Sequence, residues 1–93
     1  MTTETNEDPA ERARKYIASF EQALQSSILA KDDTLARSAG ITRVSDTIQR
    51  YLRDARFYLE SSKPTTALAS IAYAEGLLDA LIFMGLAETK TAE

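Results

Sequence analysis

The segment from Ala67 to Ala87 limits most what this chain can fold into. It is apolar almost all round, with Glu75 and Asp79 as its only charged residues. A helix of that character is either buried on most sides or set in lipid. Its length suits a membrane span. The two acids sit near its middle, however, where each costs about 2.5–3.5 kcal/mol at a bilayer centre. The segment therefore reads as the central column of a helical domain, and no membrane contact is expected. It starts at Pro64 or Thr65 and runs to about Met84, with Gly85 placed to stop it. Leu68, Ile71, Leu78 and Ile82 define one stripe, while Tyr73, Leu77, Leu81 and Met84 cover much of the other side. Ala69, Gly76 and Ala80 form a strip of small residues.

A column of this kind needs neighbours, and the rest of the chain supplies two amphipathic helices. The first is expected over about 9–31. Asp8 suits an N-cap, Pro9 suits the first helical position, and Glu11 complements the helix dipole. Ala10, Ala13, Ile17, Phe20, Leu24 and Ile28 then recur at three- and four-residue steps, the period of one helix face. Lys31 to Gly40 reads as a connection, with one helical turn around Leu35 and Gly40 as a stop. The second helix is expected over about 42–61. Ile41, Val44, Ile48, Tyr51, Leu52, Ala55, Tyr58 and Leu59 fall within an arc of about 120° on its wheel. Asp46, Arg50, Arg53 and Phe57 occupy the opposite face. Pro64 ends this helix, because the residue before a proline disfavours the helical region. No stretch alternates like a strand, and nothing repeats. The fold class is all-α: a three-helix up-down-up bundle with the second and third helices as an αα-hairpin. A single domain spans 9–87. Residues 1–8 and 88–93 read as disordered tails, the first of them acidic.

Composition removes most enzyme classes. The 93 residues contain no His and no Cys. The commonest general base, the commonest metal ligand, thiol nucleophiles and disulfides are all missing. Eleven basic against fourteen acidic residues give a net charge of −3, which argues against a general affinity for nucleic acid. The N-terminus lacks the basic and apolar regions of a secretory signal, so a cytoplasmic setting is expected. No catalytic residue, metal or cofactor is assigned.

Three groups of polar residues merit weighing. Arg50, Arg53 and Phe57, with Arg56 nearby, can stack a base or grip a phosphate. The plainer reading pairs the arginines with Asp46, Asp54 and Glu60 along the helix and packs Phe57 on another chain. Glu75 and Asp79 lie one turn apart. Paired carboxylates suggest a divalent metal, acid/base work or another ligand role. Two groups from one helix are too few to hold a metal, and the plainer reading is carboxylates held by an Arg or Tyr of a neighbouring helix. Ser61, Ser62, Lys63, Thr65 and Thr66 surround the start of the third helix, but Pro64 removes one amide and no glycine lets the backbone wrap a phosphate, so ordinary capping is the expectation there. The four tyrosines read as amphipathic core residues.

The run Tyr51-Leu-Arg-Asp-Ala-Arg-Phe-Tyr-Leu-Glu60, then Lys63-Pro64, then Ala67-Leu-Ala-Ser-Ile-Ala-Tyr-Ala-Glu-Gly-Leu-Leu-Asp-Ala-Leu81 resembles a small archaeal family, domain of unknown function 357. The family pattern is a "YLxDAxxYLExGDxxxALA" hairpin followed by "YAEGLLDAL", and the likeness covers roughly 44–86. Lys63 stands where the family commonly has an acid before the proline. The resemblance implies an α-helical bundle in an archaeal cytosol and supplies no established activity. Some relatives are joined to nucleotidyltransferase-like domains, which implies an accessory role. Nuclease members of that wider group use an Arg…His motif, which a chain without His does not carry.

The third helix has more apolar surface than two amphipathic neighbours cover, and Leu29 and Phe57 point away from their helices' main stripes. Large exposed apolar patches are uncommon on monomers. A non-enzymatic interaction module is therefore expected: a homodimer that also takes a protein partner. Its surface would comprise Arg50, Arg53, Phe57, Leu77, Leu81 and Met84. The alternative is an accessory small-ligand or nucleotide-binding domain using Arg50, Arg53, Glu75 and Asp79 beside a nucleotidyltransferase-like partner.

Overall fold

The computed structural model describes residues 8–29 and 35–89. The tails at 1–7 and 90–93, and most of the first connection, lie outside them. Three helices form the body: α1 over Pro9–Gln25, α2 over Leu35–Glu60 and α3 over Pro64–Phe83. The chain is an all-α bundle, with α2 and α3 packed closely as a hairpin and α1 laid against them. Two short strands, β1 (Ser27–Leu29) and β2 (Ala87–Thr89), pair antiparallel with Ile28 opposite Glu88.

Each helix begins and ends for a local reason. At Asp8 the backbone is extended and its carbonyl accepts from the Arg12 amide at 2.9 Å, but the carboxylate makes no cap bond. The N-cap position is as expected, though the capping is by backbone alone. Pro9 opens α1 because its fixed φ suits a first helical turn and its missing N–H has no helical partner to lose. The helix then stops at Gln25, six residues short of the expected end. Ser26 caps it through the Gln22 carbonyl at 3.1 Å, and Ser27 Oγ donates to the Ala23 carbonyl at 2.7 Å. Beyond these serines the backbone bonds to β2 instead of continuing its own ladder.

Helix α2 begins at Leu35, so Gly40 lies inside it and is no stop. A glycine in a helix interior costs about 1 kcal/mol relative to alanine. Leu35, Ala36, Arg37 and Ala39 are all good helix formers and outweigh it. The expected single turn around Leu35 is thus the first turn of a 26-residue helix.

Both tight reversals use the same device. After α2, the Ser62 amide donates to the Leu59 carbonyl (3.1 Å) and the Lys63 amide to the Tyr58 carbonyl (2.8 Å). After α3, Gly85 and Leu86 donate in the same way to Ile82 (3.0 Å) and Leu81 (2.7 Å). These paired bonds close a helix when the residue between them is left-handed. Gly85 has φ 75° and Ser62 has φ 63°. Glycine adopts that conformation freely, whereas serine does not. The family pattern quoted above carries glycine at this second position. Ser62→Gly is therefore expected to stabilise the protein by roughly 0.5–1 kcal/mol, read as a higher urea midpoint at unchanged slope.

The core is one cluster drawn from all three helices and β2. It contains Ile17, Phe20, Ile48, Leu52, Ala55, Ile71, Ala74, Leu78, Leu81 and Ala87, with Leu24, Val44, Tyr51, Leu59, Leu77, Ile82 and Leu86 packed against it. No polar or charged residue is buried among the described residues. The β1–β2 pair sits at the end of the bundle where α1 and α3 both finish. Gly85 turns the chain back there, so β2 runs antiparallel to β1.

Candidate interaction face on the third helix

Helix α3 is buried along one line and bare along the opposite one. Ala67, Ile71, Ala74, Leu78 and Leu81 face inward. Ala69, Ala72, Tyr73, Gly76, Ala80, Phe83 and Met84 are exposed. At 100° per residue these seven fall within an arc of about 120° centred close to Gly76 and Ala80. No charge interrupts them. Phe83 is 84% exposed, Met84 63% and Tyr73 56%, so large side chains stand in solvent at the C-terminal end of the band and, with Tyr73, along one edge of it.

The expected members of this surface separate. Leu81 is 2% exposed and belongs to the core, so it is not available to a partner. It lies on the inward line of α3, and its carbonyl accepts from the Leu86 amide in the C-terminal turn. Leu77 is half-buried against the core. Met84 and Phe57 are exposed as expected, as are Arg50 and Arg53 on α2. The structure adds Phe83 and Tyr73. Phe83 lies seven residues beyond Gly76 and three beyond Ala80, so the small-residue strip already pointed to it.

Aromatic contacts tie α2 to the edge of this face. The Tyr51 ring stacks on Tyr73 with centroids 4.4 Å apart and planes 17° from parallel. The Arg50 guanidinium lies 6.0 Å from the Tyr51 centroid, at the outer limit of a cation–π contact. Phe57 meets Tyr58 edge-on at 5.4 Å. Tyr73, expected as a core residue, thus forms half of an exposed stack.

Among the described residues, no arginine of α2 pairs along its own helix. Arg56 crosses to α1 and donates through Nε to Glu21 at 2.7 Å, and its Nη2 contacts the same carboxylate. Both partners are exposed enough for the pair to contribute less than about 1 kcal/mol. Among the described residues no carboxylate pairs with Arg50 or Arg53, so the Asp46–Arg50 pairing does not form.

Glu75 and Asp79 line a hollow of about 210 Å³ between α1 and α3, with Ser19, Phe20, Ala23 and Leu78. No Arg or Tyr reaches either carboxylate, so the expected neighbouring donor is not found among the described residues. Nor does any group of three acids with metal-ligand placement occur there. Burial, and then the nearby Asp79 charge, hold the Glu75 carboxyl above its ordinary range. Ionised Glu75 therefore opposes folding. Its favourable, protonated contribution is complete below the ordinary glutamate value and is lost as pH rises through the higher folded value. Glu75→Gln is expected to be more stable than the parent at pH 7, with the advantage fading as pH falls through the raised folded value and gone below the ordinary glutamate value. Thermal melts across pH check this.

The sequence match that bears on identity covers most of this architecture. Residues 15–87 match the family described as "Protein of unknown function (DUF357)", a stretch running from within α1 through α2 and α3 to the first residue of β2. The chain belongs to the DUF357 family. Membership reaches further than the hairpin motifs at 44–86, because it takes in the α1 residues Ile17 and Phe20 that complete the core. No curated protein matches the chain, and no solved structure does. The family description assigns the DUF357 proteins no activity.

Proposed function

We propose that this DUF357 protein is a non-enzymatic, cytoplasmic interaction module that self-associates through the outer face of α3. The observation that carries this reading is the uncharged band from Ala69 to Met84, bare in the folded chain and ending in Phe83 and Met84. Water penalises such a band at roughly 25 cal/mol per Å² of apolar surface, a cost that a partner removes. Helix α3 is also long and apolar enough to cross a membrane by length and composition, with mean hydropathy 1.4. Packing against α1 and α2 on one side, with Glu75 and Asp79 beside the band, favours a protein surface over lipid.

Arg50 and Arg53 sit on α2, whereas the residues lining the Glu75–Asp79 hollow all come from α1 and α3. The four residues of a ligand or nucleotide site are thereby split between two places, which favours the interaction module over an accessory ligand-binding domain. Sedimentation velocity from 1 to 100 times micromolar is the direct test. A rise in weight-average mass towards the dimer with concentration supports the module. A strict monomer throughout overturns it.

A further inference from the structure

We propose that two copies pair through α3 in antiparallel fashion, about a two-fold axis that passes beside Gly76; this rests on the self-association reading and specifies its geometry. Size pairing along the helix points to it. A two-fold axis at Gly76 sets each residue a given number of positions after it against the residue the same number before it in the other copy. Ala80 then meets Ala72, and Phe83 falls over Ala69. The large side chain at one end of the face is matched with a small one at the other. Parallel pairing instead stacks Phe83 on Phe83 and leaves Ala69 opposite Ala69, crowding one end and leaving a void at the other.

The centre of the face suits close approach. A Cβ placed on Gly76 meets nothing within 4 Å beyond its own stretch of helix, so among the described residues no other part of the fold crowds that position. Alanines on either side keep that space open, and helices meeting across small residues come to the lower end of the usual 8–10 Å separation. The area also suits a second copy. Large side chains bury about 150–250 Å² each when fully covered. With Tyr73, Phe83 and Met84 more than half bare and the alanines added, the face offers on the order of 500–600 Å² per copy. Two copies thus bury ~1,000–1,200 Å², the lower end of specific interfaces. The band carries no charge that would select an oppositely charged partner. Its large-to-small gradient is complementary to itself reversed.

The chain has no cysteine, so single cysteines report the geometry without background. Ala72→Cys and Ala80→Cys change exposed alanines and leave the core untouched. Each variant is oxidised alone, and then the two are mixed with one carrying a mass tag. Antiparallel pairing brings position 72 of one copy to position 80 of the other. The mixture should then give at least ~10-fold more disulfide-linked dimer than either variant alone, because a disulfide needs Cα atoms within about 7 Å. Strong self-linking of each variant alone overturns the arrangement in favour of parallel pairing. Failure to link in any combination, with sedimentation still showing a dimer, overturns it in favour of another face. A monomer in sedimentation removes the self-association reading as well, so the two failures are told apart.

Discussion

Ile71→Ala should lower the stability of this protein by about 3–4 kcal/mol, the largest single effect expected on the fold. Ile71 is 1% exposed and lies on the inward line of α3, within the cluster that joins α1, α2 and β2. Removing its three outer carbons forfeits their transfer energy and leaves a cavity that rigid helices on both sides do little to fill. A small domain has roughly 5–15 kcal/mol in total, so about a fifth or more of the margin goes with one residue. Met84→Ala at the C-cap of the same helix should cost less than about 0.5 kcal/mol, because its side chain is 63% exposed. Urea unfolding of the two variants measures the contrast. Equal midpoints would mean that α3 is not the column on which the bundle is built.

The hairpin is legible in the sequence because its signals are local. Pro64 opens α3, Gly85 closes it with a left-handed φ, and the stripe from Ile41 to Leu59 gives α2 its inner face. The stripe of Ala13, Ile17 and Phe20 likewise places α1 correctly. The end of α1 is not legible, because the pairing of β1 with β2 joins segments about sixty residues apart and no periodicity in either announces it. Gly40 misleads in the other direction. A single poor helix former is read as a stop, yet the helix formers before it and the tertiary packing after it carry the helix through.

Helix α3 shows why the candidate surface is only half legible. A helix that is apolar on every side gives no contrast by which a wheel can choose its inner face. Alanine is equally at home on either side, and here Ala67 and Ala74 are buried while Ala69, Ala72 and Ala80 are bare. Leu77, Leu81 and Met84 read as one exposed group, but the structure grades them from buried Leu81 through half-buried Leu77 to exposed Met84. The discriminating facts are long-range: where α1 docks, and that Tyr51 reaches across to stack on Tyr73.

Ala80→Glu should abolish self-association while leaving the monomer folded, weakening the dimer by more than about 100-fold. Ala80 is exposed in the single chain, so a glutamate there meets only water and the unfolding midpoint moves by less than about 0.5 kcal/mol. In the paired state the same carboxylate faces Ala72 of the second copy, whose methyl group offers it no counter-charge. Symmetry duplicates the defect, so two unpaired charges are buried at once. Leaving a charge buried without a partner costs about 2–5 kcal/mol, and 2.7 kcal/mol already corresponds to a 100-fold change in affinity. Ala80→Ser is the companion variant, since a small hydroxyl keeps the shape of the face and should weaken association far less. Sedimentation of both, beside their urea curves, separates a surface effect from a folding one. A dimer that tolerates Ala80→Glu as well as Ala80→Ser would place the contact away from the outer face of α3.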